Sequence, residues 1–435
     1  MRKRKRFELD ENELPKKWCN ILPELPKPLP PPLSPVTNEP LNPKDLEALF
    51  PKELINQEIS KEPDITIPNE IREKLQSIRP SPLIRAQSLE EFLKTKVRIY
   101  YKYEGERSPT GSHKVNTAIA QAFYNIKEGT KALTTETGAG QWGSALAYAC
   151  HLFDLNCKVM MVKASYDQKP HRRTIMELFG AEVHPSPSTI TEFGEKLLNI
   201  DPQHPGSLGI AISEAIALAL KEEQTKYSLG SVLNHVLLHQ TVIGLEAIKQ
   251  FQMAESESSG PDIVVGCVGG GSNFAGLAYP FIREKMRNGF EMQAVAAEST
   301  AASKMSDGDY RYDFGDTANM TPLLKMHTLG SEYIPPPIHA GGLRYHGVAP
   351  SLSVLIDTGN VSPMKYKQQT AFEAAEIFTK SEGIIPAPES AHAIAAVIDL
   401  VRESKNEEQT ILFNLSGHGL LDLFGYQKYI SNELK

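Results

Sequence analysis

Lys114 closes a Gly/Ser turn, Ser108-Pro-Thr-Gly-Ser-His-Lys114, and opens an apolar helical run through Val115, Ala118, Ile119 and Ala122. Partial burial there would lower the lysine pKa and free the amine to form a Schiff base. The plainer alternative is a surface lysine at a helix start. A second segment, Thr134-Thr-Glu136-Thr137-Gly138-Ala139-Gly140-Gln141-Trp142-Gly-Ser, falls between a predicted strand and a predicted helix. Its glycines let backbone amides approach an anion, and the helix adds its positive end. A substrate carboxylate or a phosphate suits such a loop. Glu136 is the only ionisable residue in it and is a candidate acid/base; a helix-flanking glutamate in a structural turn is the alternative.

A third segment, Gly266-Cys-Val-Gly269-Gly270-Gly271-Ser272-Asn273, runs from a strand into glycines, a hydroxyl and an amide. Backbone N–H groups arranged so make a phosphate cup. It lacks the Lys-Ser/Thr of a nucleoside triphosphate loop and the GxGxxG spacing of dinucleotide folds, so a small cofactor phosphomonoester fits better. Fourth, Asn414-Leu-Ser416-Gly-His-Gly follows the last predicted strand, where a hydroxyl can bond a neutral ring nitrogen. Fifth, Glu382-Gly-Ile-Ile-Pro-Ala-Pro-Glu389 opens a helix, and Glu389 is either a site residue or an acid favoured by the helix dipole. The histidines form no HExxH or Cys/His cluster. His235 and His239 lie four apart on a predicted helix but lack a matching acidic ligand, which favours a packing role. No GxSxG elbow is present.

These segments need elements to hold them. The chain alternates β and α patterns: strands at 97–103, 131–135, 157–162 and 181–184, and helices at 114–124, 141–153 and 170–179. The second half repeats the style, with strands at 263–268, 294–297 and 410–415 and helices at 273–285, 371–382 and 390–404. Segment 192–224 reads as more helical. This is a βαβ pattern with mostly parallel sheets, whose ligands sit beyond the carboxyl ends of strands. The expected fold class is α/β, with two three-layer domains facing a cleft. All five motifs fall at strand ends, which suggests one shared site.

Expected boundaries are an N-terminal extension over 1–79, proline-rich at 22–43 and wrapping the body, and a segment 80–112 joining the C-terminal domain. An N-terminal α/β domain then covers 113–240 and a C-terminal one 241–435. The 435 residues carry 46 basic and 53 acidic side chains, a net charge of −7 that disfavours a nucleic-acid footprint. The basic run Arg2–Arg6 is followed at once by acids and reads as a solvated tail. No run reaches the about 18 apolar residues of a membrane helix. No apolar signal core follows the N-terminus. The 4 cysteines form no CxxC pair. A cytoplasmic location is expected.

Taken together, a Schiff-base lysine, a phosphate cup, an anion loop and a terminal serine resemble the fold-type II pyridoxal phosphate enzymes and, within them, the tryptophan synthase β chains. The resemblance covers about residues 80–425. Trp142 after Gln141, Arg344 in Gly342-Leu-Arg344-Tyr345-His-Gly347, the segment Ser231-Val-Leu-Asn-His and the extended N-terminus resemble the second, β-like type. In the major type an aspartate stands where Arg344 is, and it helps close the site. An arginine there could favour a phosphorylated donor by bidentate pairing.

The resemblance implies pyridoxal 5'-phosphate held by Lys114, with its phosphate on His113 and Gly269, Gly270, Gly271, Ser272 and Asn273, within the Gly-Ser-His-Lys114-Val-Asn116 motif. Ser416 would face the ring nitrogen, and Glu389 would lie near the ring. Thr137, Gly138, Ala139, Gly140 and Gln141 would bind the substrate carboxylate, with Arg344 also contacting substrate. Lys114 would shuttle the α proton and Glu136 would protonate the leaving hydroxyl. A monovalent cation, Na+ or K+, would bind backbone carbonyls at Gly269, Tyr345 and Gly347. The implied reaction is β-replacement of L-serine, or O-phospho-L-serine, by indole. Segment 129–225 would be the mobile part that closes the site. A homodimer is expected, with a weak or absent α-chain partner, no nucleic acid and no membrane. Two rivals remain open. One is a serine/threonine deaminase or similar relative, which would not share the Glu136 loop. The other is a non-catalytic cofactor-binding subunit, which need not keep Lys114, Glu136 and Ser416 together.

Overall fold

The structure, a computed structural model, describes residues 5–404 and 408–434. Arg2, Lys3 and Arg4 of the basic run lie outside the described residues. A seven-stranded sheet has the order Arg6–Phe7, Leu83–Arg85, Arg98–Tyr103, Thr410–Leu415, Ile263–Cys267, Gln293–Ser299, Ser362–Tyr366. The last five run parallel, and the first two are added antiparallel at one edge. A four-stranded sheet, Glu182–Ser186, Asn156–Val162, Ala132–Thr137, Thr225–Tyr227, is all parallel.

The central strands of the larger sheet are covered on both faces, which explains their largely apolar sequences. Alternate residues of a strand point to opposite sides. Tyr100, Leu412, Val264 and Ala296 therefore share a core with Phe251, Phe274 and Phe281 of helices Val242–Ala254 and Ser272–Asn288. Tyr101, Ile411, Phe413 and Val265 pack on the other side with Phe378, Ile394 and Val397 of helices Gln368–Glu382 and Pro388–Glu403. In the smaller sheet Val159 and Met161 face Leu146 and Met176, while Met160 and Val162 face Ala215 and Ile216 of helix Leu208–Lys221. The α/β, three-layer expectation matches this architecture.

The sequence reading did not assign several elements. The hairpin Asp309–Phe314/Leu323–Thr328 and helix Pro350–Asp357 are among them. Strand Ser362–Tyr366 contains Pro363, which argues against a strand in sequence and is tolerated because this strand forms the sheet edge. The extension is more ordered than its composition suggests. It donates the edge strand Arg6–Phe7, buries Trp18, and pairs Lys17–Cys19 with Asp64–Thr66. Its proline-rich part forms backbone bonds in both directions between Leu33 and Leu323. The Pro31 carbonyl accepts from the Tyr312 hydroxyl.

Behind the lysine helix lies a buried ionic cluster. Arg79 donates to Glu104 at 2.7 Å and to Glu246 at 2.8 Å. Lys102 donates to Glu246 at 2.7 Å. Burial alone would raise the Glu104 pKa, but the Arg79 guanidinium reverses this and brings it down to about 2. Arg79 also donates to Asn116 Oδ1 at 3.0 Å, so the cluster fixes the first turn of helix Val115–Lys127.

Candidate active site

Between the two sheets lies a cavity of about 170 Å³. Its walls include Lys114, Glu136, the 137–139 loop, the 269–273 cup, Glu389 and Ser416. Most reach the cavity from the carboxyl end of a parallel strand or from the helix start that follows, and Glu389 from the first turn of helix Pro388–Glu403, which follows another helix. Ala132–Thr137 delivers the anion loop, Ile263–Cys267 the cup and Thr410–Leu415 Ser416.

Lys114 is partly buried, and its ammonium nitrogen has the Gly230 carbonyl as its hydrogen-bond partner at 3.2 Å. Burial lowers its pKa to about 8, although Glu136 and Glu389 pull the other way. Glu136 is 6% exposed, and burial raises its pKa to about 7 despite a 2.5 Å bond from the Tyr227 hydroxyl. A carboxyl group so poised can both give and take a proton near neutrality. His113 is held neutral, its pKa driven down to about 3 by burial and then by Lys114. Its Nε2 lies 3.4 Å from the Ser272 hydroxyl.

The glycine cup has room for a ligand only because it has no side chains. A Cβ on Gly269 would lie 2.1 Å from the Gly342 carbonyl oxygen, and one on Gly270 would lie 2.4 Å from the Ser231 hydroxyl. The cup opens onto the N-terminus of the 17-residue helix Ser272–Asn288, whose free amides and dipole favour an anion. Asn273 is fixed by bonds to Cys267 and Asn414, so its side chain orders the cup. His113 Nδ1 and Ser112 Oγ are buried and find no partner among the described residues. These donors and this cradle fit a phosphate-bearing ring cofactor, with the Lys114 amine and the Ser416 hydroxyl at the other end.

Across the cleft, Glu389 is bridged from two elements. Gln141 Nε2 donates to one oxygen at 3.1 Å and the Gly342 N–H to the other at 2.9 Å. The Ser416 hydroxyl lies 2.8 Å from Ser390. Thr137 Oγ1 accepts from the Gly140 and Gly143 amides, which shapes the anion loop. Trp142 donates its indole N–H to Thr135 Oγ1 at 2.6 Å and packs under Gly230, beside the lysine's carbonyl partner.

Some named residues stand elsewhere. Asn116, Gly140, Arg344 and Gly347 are not among the cavity's lining residues. Asn116 belongs to the Arg79 cluster, and Gly140 is the turn before helix Gln141–Leu152. Gly347 pairs with Thr328. The Arg344 guanidinium donates to the Pro335 carbonyl at 3.1 Å, and burial lowers its pKa to about 10. Tyr345 lines the cavity, and its hydroxyl donates to the Gly315 carbonyl. No group of three or more His, Cys, Asp or Glu among the described residues could hold a metal ion. His239 bonds Thr117 and Gln57, and His235 bonds Glu58, in keeping with a packing role.

The sequence reading missed the apolar half of the cavity. Pro32, Leu41, Leu46, Leu49 and Phe50 of the extension line it, with Ile212, Ile216, Tyr227 and Leu324. Nothing in the local pattern of the extension pointed inward, because its partners lie hundreds of residues away.

Comparison with known proteins gives a consistent picture. The model of the family "Pyridoxal-phosphate dependent enzyme" matches residues 74–417. Tryptophan synthase beta chain 2 of Pyrococcus furiosus is 58% identical over 430 residues, covering 98% of this chain and 95% of that protein. The beta chain 2 of Aeropyrum pernix is 58% identical over 437 residues, covering 99% and 96%. The beta chain 2 of Methanosarcina mazei is 57% identical over 429 residues, covering 98% and 96%. A solved pyridoxal 5'-phosphate-dependent aspartate racemase shares the fold, with a TM-score of 0.55 and 16% identity over 81% of this chain and 95% of that one.

Proposed function

The chain belongs to the pyridoxal-phosphate dependent enzymes and, among them, to the tryptophan synthase β chains of the second type, and from that membership we propose that it joins L-serine and indole into L-tryptophan at the cavity described above. The observation that carries the reading is the facing of Lys114 and Glu136 across one cavity. Each has its pKa brought toward neutrality by burial, to about 8 and about 7.

When bound, the cofactor supplies an electron sink for the carbanion at the serine α carbon. The chain's own residues do the rest. The amides of Gly138, Ala139 and Gln141, at the N-terminus of helix Gln141–Leu152, hold the substrate carboxylate. Lys114, easily deprotonated, takes the α proton. Glu136, protonated near neutral pH, delivers its proton to the departing hydroxyl. As a carboxylate it then accepts from the indole N–H, which makes the ring carbon a better nucleophile. The cup and His113 hold the phosphate. Ser416, a neutral hydroxyl, leaves the ring nitrogen unprotonated, which favours elimination and replacement over transamination. The apolar wall of Leu49, Phe50, Ile212, Ile216 and Leu324 receives the indole ring and keeps water out.

The finer assignments belong to the same proposal: a homodimer, a weak or absent α-chain partner, a cytoplasmic location, closure by segment 129–225, and a monovalent cation on backbone carbonyls near Gly269, Tyr345 and Gly347. Among the described residues no helix is long and apolar enough to cross a membrane. O-phospho-L-serine would replace L-serine through Arg344 only if its guanidinium left the Pro335 carbonyl for the cavity, and donor kcat/KM values for wild type and Arg344→Ala decide it. The reaction is tested by adding L-serine and then indole to the purified, cofactor-loaded protein. Formation of tryptophan is expected. Release of pyruvate and ammonia alone would make it a deaminase.

A further inference from the structure

Tyr227 ends the three-residue strand Thr225–Tyr227, whose neighbour in the sheet carries Glu136. Its hydroxyl donates to Glu136 Oε2 at 2.5 Å. The phenol itself is 2% exposed. Burial and the facing carboxylate hold its pKa well above the ordinary value, so it remains a donor. What braces Tyr227 is the N-terminal extension. Its backbone N–H donates to the Leu49 carbonyl at 3.0 Å, and the Phe50 ring centre lies 5.9 Å from its own. The adjacent Lys226 ammonium bonds the Glu47 carbonyl. Residues 47–50 are thus tied to this one strand by backbone, ring and ammonium.

Building on the tryptophan-forming reading, we propose that Tyr227 is a positioning residue for Glu136: the phenol occupies Oε2, so that the carboxyl group presents its proton and its reactive lone pair on Oε1, and residues 47–50 of the extension hold the phenol there. The terminal torsion of a glutamate is soft, so an untethered carboxyl would turn and carry its proton on either oxygen. A donor fixed on one oxygen removes that freedom, and in a buried site the bond is stronger than in water. Two neighbours besides the phenol reach the Glu136 carboxyl, its own backbone N–H and the Thr135 hydroxyl. The Thr135 hydroxyl donates to the Ser228 carbonyl, and the backbone N–H is fixed in the strand, so neither can be adjusted as a side-chain tether. Lys114 has Gly230 as its hydrogen-bond partner, and the Tyr345 hydroxyl is committed to the Gly315 carbonyl at 3.0 Å. Asp316 influences both phenols but has its own bonds to Ser213 and Thr321. Glu389 is held by Gln141 and Gly342.

The test uses the cofactor-loaded enzyme. Tyr227→Phe removes one oxygen and keeps the ring against Phe50. The expected result is a fall of about tenfold or more in kcat with the KM for serine within about twofold. Glu136→Asp draws the carboxyl back from the phenol. In that background Tyr227→Phe should change kcat by less than about twofold, because the two residues act as one unit. Independent, multiplying losses in the double variant would overturn the proposal. A second readout needs no substrate. The infrared band of the protonated Glu136 carboxyl, assigned by its loss in Glu136→Gln, should shift in Tyr227→Phe, and an unmoved band also overturns it. Phe50→Ala should shift the same band in the same direction, and no shift removes the extension from the proposal. If wild type makes no tryptophan, the functional reading fails while the infrared result still decides the Tyr227–Glu136 contact.

Discussion

Lys169 donates to Asp422 at 2.6 Å, and both side chains are almost fully buried. Lys169 sits between helices Lys163–Gln168 and Pro170–Leu178 on the smaller sheet, whereas Asp422 follows the last strand of the larger one. Arg172 reaches the second Asp422 oxygen at 3.3 Å. One carboxylate therefore compensates two buried cations across the cleft. Removing it in Asp422→Ala leaves both uncompensated and should cost about 3–5 kcal/mol, read from the shift of a urea unfolding midpoint. The acid side has a definite sign. Burial would raise the Asp422 pKa, but Lys169 and Arg172 outweigh it and hold the pKa below its ordinary value. The stabilisation is whole above the unfolded carboxyl's pKa and drains away as pH falls through the native one. Across that window the Tm of the wild type should fall more steeply than that of Asp422→Asn.

Lys114 should weigh against stability in the cofactor-free protein. Its native pKa of about 8 lies below the unfolded lysine value, so the unfolded chain holds more protons between the two and stability rises with pH there. Below about 8 the full cost of a buried ammonium is present. Lys114→Met, which keeps the length and removes the charge, should therefore raise the neutral-pH stability of the cofactor-free protein by something on the order of 3 kcal/mol. The same variant should form no tryptophan and show no covalent cofactor after borohydride reduction. A Tm that does not rise would contradict this account of the lysine.

Gly269 faces the Gly342 carbonyl so closely that an added methyl group would lie 2.1 Å from backbone oxygen. Backbone cannot swing aside as a side chain can. Gly269→Ala should weaken cofactor binding by about tenfold or more, a change of about 1.4 kcal/mol, measured by equilibrium dialysis. Gly289→Ala, at a helix end where an added methyl group meets nothing within 4 Å, is the comparison and should leave the affinity unchanged.

Glu136 should print its own titration on the rate. With a pKa of about 7, it is largely protonated below that pH and largely ionised above it. Loss of the hydroxyl group needs the protonated form. The rate of pyruvate release from serine alone should therefore fall as pH rises through about 7. In Glu136→Gln that limb should vanish along with most of the rate, while cofactor loading is retained. A limb that survives in the glutamine variant would assign it to another group.

Lys114, Glu136, the 269–273 cup and Ser416 were readable in sequence because each sits in a short segment whose meaning is local: a strand end, glycines, then a helix. The parallel strands were readable for a related reason, since Ile263–Cys267 and Thr410–Leu415 are mostly apolar and are buried on both faces. Tyr227 was invisible because its strand is three residues long and its role depends on register with Thr134. Arg344 was read from a motif, yet its guanidinium is buried against the Pro335 carbonyl. The hairpin 309–328 mixes charged and apolar residues along strands that are only partly buried, so its pattern is weak.

The reciprocal backbone bonds between Leu33 and Leu323 set an order of events during synthesis. The extension emerges from the ribosome first, but the strand that receives it, Leu323–Thr328, emerges only after most of the protein has been made. Pairings so distant in sequence form late, since the loop between them must close first. Residues 47–50 meet their strand, Thr225–Tyr227, earlier in translation, whereas Leu33 waits for Leu323. A chain halted before residue 323 carries an unfinished cavity wall, without Leu324, and a proline-rich segment still unpaired.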